Sequence, residues 1–142
     1  MNKINDFGLF VFRVSIGAFM LFAHGLGKFE RLLSGAEIKF YDPFGIGATA
    51  SLTMAVFAEF FAAAFLMLGI FTRLSSFSLI ITMFVAAFLF HADDPFGSKE
   101  KALMYLVSFT YLFIVGPGKF SIQKFLEKKI EKLNSRIRWI LG

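Results

Sequence analysis

Four apolar segments dominate the hydrophobic pattern of this chain, at roughly residues 7–23, 48–71, 74–90 and 102–115. A helix needs roughly 17–25 residues to cross a bilayer core. The third and fourth segments lie at or below the lower limit, and the fourth is predicted to begin earlier, near Ser98. Backbone groups must be paired in lipid, and these segments lack the alternation of barrel strands, so all four are predicted to be helices.

The composition favours the same interpretation. Hydrophobic residues make up 57% of the 142 positions, charged residues only 18%, and there are 22 phenylalanines. A soluble domain of this size has too little interior to bury so many rings, whereas lipid solvates them. We therefore expect an all-α integral membrane protein, a four-helix bundle followed by a basic amphipathic helix.

The sequence excludes several kinds of chemistry. It contains no cysteine, which removes disulfide exchange, thiolate catalysis, cysteine zinc sites and cysteine-ligated iron–sulfur clusters. A quinone-coupled thiol reductase of the Cys-x-x-Cys type is therefore excluded. No nucleotide-binding loop, catalytic serine or zinc motif is present, and no nucleic-acid partner is predicted.

The chain after Gly118 changes character. Residues 119–142 carry seven basic and two acidic side chains, a net charge of +5, and their apolar residues recur at helical spacing. This pattern predicts an amphipathic helix on the membrane surface, with Ser121 as its N-cap. Docking onto a partner subunit is the alternative. We divide the chain into a four-transmembrane-helix domain, residues 1–118, and this surface helix, residues 119–142.

The basic tail also predicts the topology. Positively charged segments stay in the cytoplasm, and four spans put both termini on the same side. The sequence therefore predicts a bacterial-type inner (plasma) membrane protein with cytoplasmic N- and C-termini. The short connection at residues 69–73 is then cytoplasmic as well, and the loop at 91–101 faces outward. The long loop at residues 26–47 also faces outward; its glycines, its mixed charges and Asp42-Pro43 predict turns, with a short interfacial helix near residues 28–33.

Two ionisable residues, Arg13 and Glu59, interrupt the first two apolar segments. A charge near the centre of a spanning helix costs at least about 2.5–3.5 kcal/mol, which makes both residues candidates for a functional site. Arg13 lies roughly 9 Å from the cytoplasmic end of its helix, so snorkelling is an alternative for it. Glu59 lies near the midplane and must pair, become protonated or meet water. A structural partner and a role in proton handling or ligand binding both stay open for Glu59.

A second group of polar residues maps to the outward ends of the helices. It contains His24, Lys28, His91, Asp93 and Asp94, with Asp42 as a further candidate. Lysine and histidine donate hydrogen bonds, which favours an anion or a quinone headgroup as the ligand of such a polar mouth. Solvated helix ends account for these residues more simply. Metal sites need three or four ligands, so no metal site is predicted.

Several short motifs carry a resemblance to a known family. They are Arg13-x-x-x-Gly17, His24-Gly-Leu-Gly-Lys28-Phe29, Glu59, Leu68-Gly-Ile-Phe-Thr-Arg73, His91-Ala-Asp93-Asp94-Pro95-Phe96, Glu100-x-Ala-x-x-Tyr105 and Gly116-Pro-Gly-x-x-Ser121. In this order, over about residues 8–123, they resemble the DoxX family. Gln123 departs from the pattern, which has an aspartate there.

The resemblance implies four membrane helices and a redox context. Some DoxX relatives are subunits of a thiosulfate:quinone oxidoreductase, and others join membrane redox assemblies. By this resemblance the chain is a small subunit of a quinone-linked oxidoreductase complex, with a quinone as its ligand. The candidate site residues, from the pattern and the resemblance together, are Arg13, His24, Lys28, Glu59, Arg73, His91, Asp93 and Asp94; no catalytic residue is assigned.

The sequence also defines the partners and the competing functions. The lipid bilayer is one partner, further membrane or soluble subunits are expected, and a homo-oligomer is compatible with the sequence. A non-enzymatic scaffold or assembly subunit of a larger respiratory complex is the main alternative. A proton-coupled carrier is less favoured, because four helices are few for alternating access and no inverted repeat is evident.

Overall fold

The computed structural model describes residues 3–127, which are almost entirely helical and contain no strand. Four long helices precede a short one. They are α1 (Lys3–Leu33), α2 (Ala48–Leu68), α3 (Thr72–Phe90), α4 (Phe96–Val115) and α5 (Ile122–Glu127). The expected all-α fold is confirmed for this part of the chain.

Three of the helices, α1, α2 and α3, are long and apolar enough to cross a membrane. Large hydrophobic side chains point outward along them, as lipid-facing surfaces require. The most exposed phenylalanines of these three helices are Phe7, Phe19, Phe22, Phe57 and Phe90. The fourth long helix, α4, has 20 residues but carries Lys99, Glu100 and Lys101 close to its start.

Each long helix packs against the next one in chain order. α1 also meets α4 through two edge-to-face ring pairs, Phe12–Tyr111 at 5.7 Å and His24–Tyr105 at 5.6 Å between centroids. Between the helices lies a fully buried apolar core. It includes Met20, Leu66, Leu79, Phe109 and Leu112.

The first helix is longer than the sequence analysis predicted. It continues past Ala23 to Leu33, so the expected loop at residues 26–47 shortens to 34–47. Gly25 and Gly27 do not interrupt α1, although glycines were taken as turn signals. A Cβ on Gly25 would lie 2.2 Å from the carbonyl oxygen of Glu59. Glycine is therefore present here because α1 and α2 touch, as small residues allow at membrane helix crossings.

The connection between α2 and α3 is short, as predicted. Gly69 adopts a left-handed conformation, with φ of 68°. Its N–H donates to the Leu66 carbonyl at 3.0 Å, and the Ile70 N–H donates to the Phe65 carbonyl at 3.0 Å. This pair of bonds is the Schellman motif, which ends helices where glycine supplies the positive φ.

The start of α4 differs slightly from the prediction. The helix begins at Phe96, directly after Pro95, rather than near Ser98. The Ser98 N–H donates to the Pro95 carbonyl at 3.0 Å, inside the first turn. Because proline presets its own φ and removes a donor that a helix start leaves unpaired anyway, Pro95 and not Ser98 sets this boundary.

The chain after Gly118 begins a new helix at the predicted place. The Lys124 N–H donates to Ser121 Oγ at 3.3 Å, which confirms Ser121 as the N-cap of α5. Of the predicted surface helix, only residues up to Glu127 fall within the described part of the chain. Its continuation over 128–142 lies outside the described residues, and the domain boundary at 118 stays a prediction.

Candidate functional site

Glu59 pairs with Lys28 of α1. The carboxylate is 4% exposed and accepts a hydrogen bond from Lys28 Nζ, which reaches it from the neighbouring helix. Removing either partner would leave an uncompensated charge in a place of low dielectric. From the sequence, Arg13 or a serine or threonine hydroxyl was the expected structural partner of Glu59, and neither is the partner that the structure shows.

Three π-helical turns surround this ion pair. They occupy Leu21–Gly25 in α1, Phe57–Ala62 in α2 and Ala86–Phe90 in α3. The first contains His24 and the second contains Glu59. A π-turn shifts the following side chains around the helix axis, and such turns are frequent at functional sites. The wider turns here bring His24 and Glu59 to the same interior space.

That space is a cavity of about 1170 Å³ at the end of the helices opposite Arg13. Its polar lining includes His24, Lys28, Glu59, His91, Lys101 and Tyr105. Its apolar lining includes Met54, Phe57, Ile81, Met83 and Phe90. Part of the loop at residues 34–47 covers it through Phe40, Tyr41 and Phe44. The cavity thus combines a charged base with apolar walls.

The structure adds Lys101 and Tyr105 to the predicted site. The Tyr105 ring meets His24 edge-on at 5.6 Å and stacks on Phe109 at 5.7 Å. Lys101 and Tyr105 are four residues apart, so they share one face of α4. That spacing was the signal available in the sequence for a polar face on α4.

The three predicted residues at the start of the outward loop differ in position. His91 is half-buried, lines the cavity, and its Nδ1 lies 2.6 Å from Asp94 Oδ2. Asp93 and Asp94 are exposed and do not line the cavity. Asp94 therefore orients His91 at the rim, and the predicted mouth contains the histidine but neither aspartate.

Asp42 caps the turn that precedes α2 and does not line the cavity. Its carboxylate accepts hydrogen bonds from the Gly47 N–H at 2.7 Å, the Ile46 N–H at 3.1 Å and Ser51 Oγ at 2.8 Å. The bond from Gly47, with those from Ser51 and Ile46, lowers the pKa of Asp42 below its ordinary value. The cap fixes the loop to the start of α2.

Arg13 lies at the other end of the protein and is 1% exposed. Its guanidinium donates to the Pro117 carbonyl and, at 2.8 Å, to the Phe120 carbonyl. A Cβ on Gly69 would lie 2.9 Å from Arg13 Cζ, so the left-handed turn also makes room for the guanidinium. The side chain extends toward the end that snorkelling would use, but it binds the backbone of the chain.

An ion pair and a second arginine stabilise the same end of the protein. Lys119 Nζ lies 2.8 Å from Asp6 Oδ2, and Asp6 is 3% exposed. Arg73 donates from Nε to the Phe113 carbonyl at 3.1 Å and from a terminal nitrogen to the Ile114 carbonyl at 3.4 Å. Arg73 therefore holds the C-terminal end of α4, Arg13 holds the segment that follows it, and neither residue lines the cavity.

Among residues 3–127, no group of three or more His, Asp or Glu side chains is placed to hold a metal ion. The cavity side chains instead offer hydrogen-bond donors from two helices, Lys28 and His24 of α1 and Tyr105 of α4, around one carboxylate. This arrangement suits a ligand with polar oxygens at one end and an apolar body.

Comparison with known proteins places the chain in a family. The sequence model of the DoxX family matches residues 8–92, which contain the Lys28–Glu59 pair and reach His91. An uncharacterized protein of Haemophilus influenzae (strain Rd) is 31% identical over 118 residues, covering 78% of each chain. Inner membrane protein YqjF of Escherichia coli K12 is 27% identical over 135 residues, covering 91% of this chain and 99% of YqjF.

No solved structure matches the chain. The family match confirms the resemblance drawn from the ordered motifs, over the part that it covers. With three helices able to cross a bilayer and a relative named for the inner membrane, the chain is a membrane protein. By its sequence and its helices, this protein belongs to the DoxX family.

Proposed function

We propose that this protein is a small integral membrane subunit of a quinone-linked oxidoreductase complex and that its cavity binds the quinone headgroup. The observation that supports the proposal is the buried Lys28–Glu59 ion pair at the base of a cavity of about 1170 Å³. A buried ion pair that is packed on all sides cannot be reached by a ligand and has a structural role. Beside a cavity of this size, the same pair is accessible to a ligand.

The walls of the cavity support an amphiphilic ligand. Small-molecule sites are largely apolar, with a few placed polar groups that fix orientation. Met54, Phe57 and Ile81 supply the apolar surface, and Lys28, His24 and Tyr105 supply donors. The carbonyl oxygens of a quinone accept hydrogen bonds from such donors, and its ring and tail suit the apolar walls.

Within this proposal each polar residue has a separate task. Lys28 donates to a headgroup oxygen, and Glu59 holds the Lys28 ammonium in the low-dielectric interior. Tyr105 and His24, packed edge to face, supply two further donors beside this pair. The chain has no cysteine for an iron–sulfur cluster, so we assign the electron-carrying group to a partner subunit.

We further propose four membrane spans with both termini in the cytoplasm. α4 has 20 residues, which extend roughly 30 Å and match the thickness of a bilayer core. The charged residues at its start would then lie at the outward surface. The predicted basic helix beyond residue 118 would lie on the cytoplasmic surface.

A quinone titration tests the proposed ligand. Purified protein is titrated with a short-chain ubiquinone and, separately, with a short-chain menaquinone, and binding is measured by isothermal titration calorimetry. We expect saturable binding of at least one quinone, weakened tenfold or more by Glu59→Gln. The control Glu30→Gln removes an exposed carboxylate of α1 and should leave the affinity within twofold. Absence of binding in the wild type would refute the quinone site.

A non-enzymatic scaffold is the second candidate function. α5 exposes Ile122, Phe125 and Leu126, with Phe125 at 65% exposure, on the end of the protein that Arg13 holds. In this function the tail docks onto another subunit of a larger membrane complex. A rigidly held helix with exposed apolar side chains is suited to such docking.

Tail truncation separates the two functions. The variant is cut after Glu127, which keeps the Phe120 carbonyl that Arg13 needs as an acceptor. It also carries Phe125→Ser and Leu126→Ser, which remove exposed apolar side chains of α5. A scaffold loses its partners in a pull-down from native membranes after this truncation, with quinone binding unchanged. If the full-length protein is recovered alone from native membranes, the scaffold function fails.

A further inference from the structure

The outer part of the cavity carries more positive charge than the Lys28–Glu59 pair accounts for. Its lining contains four cationic side chains, Lys28, Arg31, Lys39 and Lys101, against the one carboxylate of Glu59. With the histidines neutral, the lining of the described cavity has a net charge of +3. Because Lys28 and Glu59 neutralise each other at the base, the excess belongs to Arg31, Lys39 and Lys101.

These three residues, the cationic rim, are exposed and come from different elements. Arg31 lies in the last turn of α1, Lys39 in the covering loop and Lys101 near the start of α4. The Arg31 guanidinium donates to the Lys39 carbonyl, which ties the loop to the end of α1. Among residues 3–127, the Lys101 side chain has no hydrogen-bonded or ion-paired partner.

The acidic residues of the neighbouring segments lie outside the cavity lining: Glu30, Glu37, Asp42, Asp93, Asp94 and Glu100. Glu37 lies 3.9 Å from Lys39, but both side chains are about four-fifths exposed, and pairs of this kind contribute little. Asp94 is engaged by His91. Within the lining, the three rim cations therefore have no acidic partner, and they lie at the end of the membrane helices, where lipid headgroups lie.

The volume of the cavity leaves room for this surface to be occupied. Sites for a single drug-sized ligand measure roughly 300–1000 Å³, and this cavity is larger, at about 1170 Å³. A headgroup at the Lys28–Glu59 base would leave the outer part unfilled. Phe44, Met54 and Phe90 form apolar surface beside the rim and suit a hydrocarbon chain.

We propose that the cationic rim binds the headgroup of an anionic phospholipid from the surrounding bilayer, with an acyl chain along the apolar wall. The phosphodiester carries one negative charge and accepts hydrogen bonds from guanidinium and ammonium groups. The inference goes beyond the quinone site, because it concerns the rim and not the base. A bound lipid would close the outer part of the cavity around a ligand held below it.

Lipid binding to the full-length protein tests the inference. The protein is delipidated in mild detergent, and native mass spectrometry measures binding of phosphatidylglycerol, phosphatidylcholine and oleate in matched titrations. We expect phosphatidylglycerol to bind at least tenfold more tightly than phosphatidylcholine. Lys101→Gln should weaken phosphatidylglycerol about fivefold, and Arg31→Gln with Lys101→Gln about 25-fold, because each near-surface cation contributes a similar attraction to an anionic lipid.

The controls separate this inference from its competitors. Lys3→Gln removes an exposed lysine at the opposite end of α1 and should leave the lipid preference unchanged. Equal binding of both phospholipids, or an equal loss with Lys3→Gln, would overturn the proposal. Oleate binding as tight as phosphatidylglycerol, with the same dependence on Lys101, would overturn the assignment to a phospholipid.

The quinone titration makes the two proposals independent. The Lys39→Gln variant, which removes a rim cation of the covering loop, should lose phosphatidylglycerol affinity about fivefold but still bind quinone at the base within about threefold of the wild type. Lipid selectivity without quinone binding would refute the quinone site and keep the lipid site. Quinone binding without lipid selectivity would refute the lipid site and keep the quinone site.

Discussion

Arg13 and Glu59 are both buried charges, but the protein satisfies them in different ways. Arg13 binds two backbone carbonyls of its own chain, at Pro117 and Phe120. Glu59 binds the side chain of Lys28 at the base of a cavity. Arg13 and Lys28 stand fifteen residues apart on α1, so the two ends are separated by roughly 22 Å along the helix.

The difference shows how the surroundings of a buried charge indicate its role. Backbone carbonyls are fixed acceptors, and a guanidinium that binds two of them ties distant parts of the chain together. An ammonium–carboxylate pair beside a cavity can exchange its partner for a ligand atom. We therefore assign Arg13 to the architecture of the protein and the Lys28–Glu59 pair to its site.

Replacing Arg13 should have the largest effect on stability. Arg13→Met leaves the Pro117 and Phe120 carbonyls without their donor, and hydrogen bonds to charged groups contribute about 1.5–3 kcal/mol each. We expect a loss of about 3 kcal/mol in the free energy of unfolding in detergent. The exposed Arg31→Met is the matched control and should change it by less than about 1 kcal/mol. Equal effects of the two substitutions would contradict the structural role of Arg13.

Gly25 tests the contact that positions the site. A Cβ there would lie 2.2 Å from the Glu59 carbonyl oxygen, so Gly25→Ala must push α1 away from α2. Overpacking costs about 1–3 kcal/mol, and we expect about 2 kcal/mol together with weaker quinone binding. Gly27→Ala has open space around its Cβ and should be neutral or slightly stabilising in the same melts. If the two glycines tolerate alanine equally, the close approach of the helices is wrong.

A double-mutant cycle measures the coupling between Lys28 and Glu59. Lys28→Met, Glu59→Gln and the combined variant are unfolded under the same conditions. We expect a coupling energy of about 1 kcal/mol, because contacting charged residues depart from additivity by about 0.5–3 kcal/mol. A coupling near zero would show that the pair is broken in the membrane protein as purified.

The Asp42 cap should give the smallest effect, visible as a pH dependence. Its pKa in the folded protein is lowered from the ordinary value of 3.8 by the hydrogen bonds that its carboxylate accepts, so its contribution is complete above that value. It is lost as the pH falls below 3.8 through the folded pKa. We expect melting temperatures to fall over this acid range in the wild type and to fall less in Asp42→Asn. Parallel curves for the two proteins would show that ionised Asp42 does not stabilise the folded protein.

The sequence predicted the helices well because membrane insertion leaves few alternatives. Apolar segments of the right length must be helices in lipid, and the ends of α2 and α3 followed from the glycine turn at Gly69. The extension of α1 to Leu33 was missed, because Gly25 signals a turn in isolation. Its actual cause is the contact with Glu59, which depends on tertiary packing.

The site was predicted less completely, for a physical reason. His24, Lys28, Glu59 and His91 were identified as unusual polar residues, and the structure brings them to one cavity. The pairing of Glu59 with Lys28 depends on the crossing of α1 and α2 and on two π-turns, and no pattern of residues predicted these turns. Arg73 and Arg13 were placed in the same candidate set, but their acceptors are carbonyls at the end of α4 and in the segment after it, which a sequence pattern does not reveal.

Photolabelling with a quinone analogue tests the central claim most directly. A photoreactive short-chain quinone is cross-linked to the purified protein, and the labelled residues are mapped by peptide mass spectrometry. Our account predicts labels on the cavity walls at Met54, Ile81 and Tyr105, lost in Glu59→Gln. Labels in the separate groove beside Phe12 and Tyr111, or labels that persist unchanged in Glu59→Gln, would contradict it.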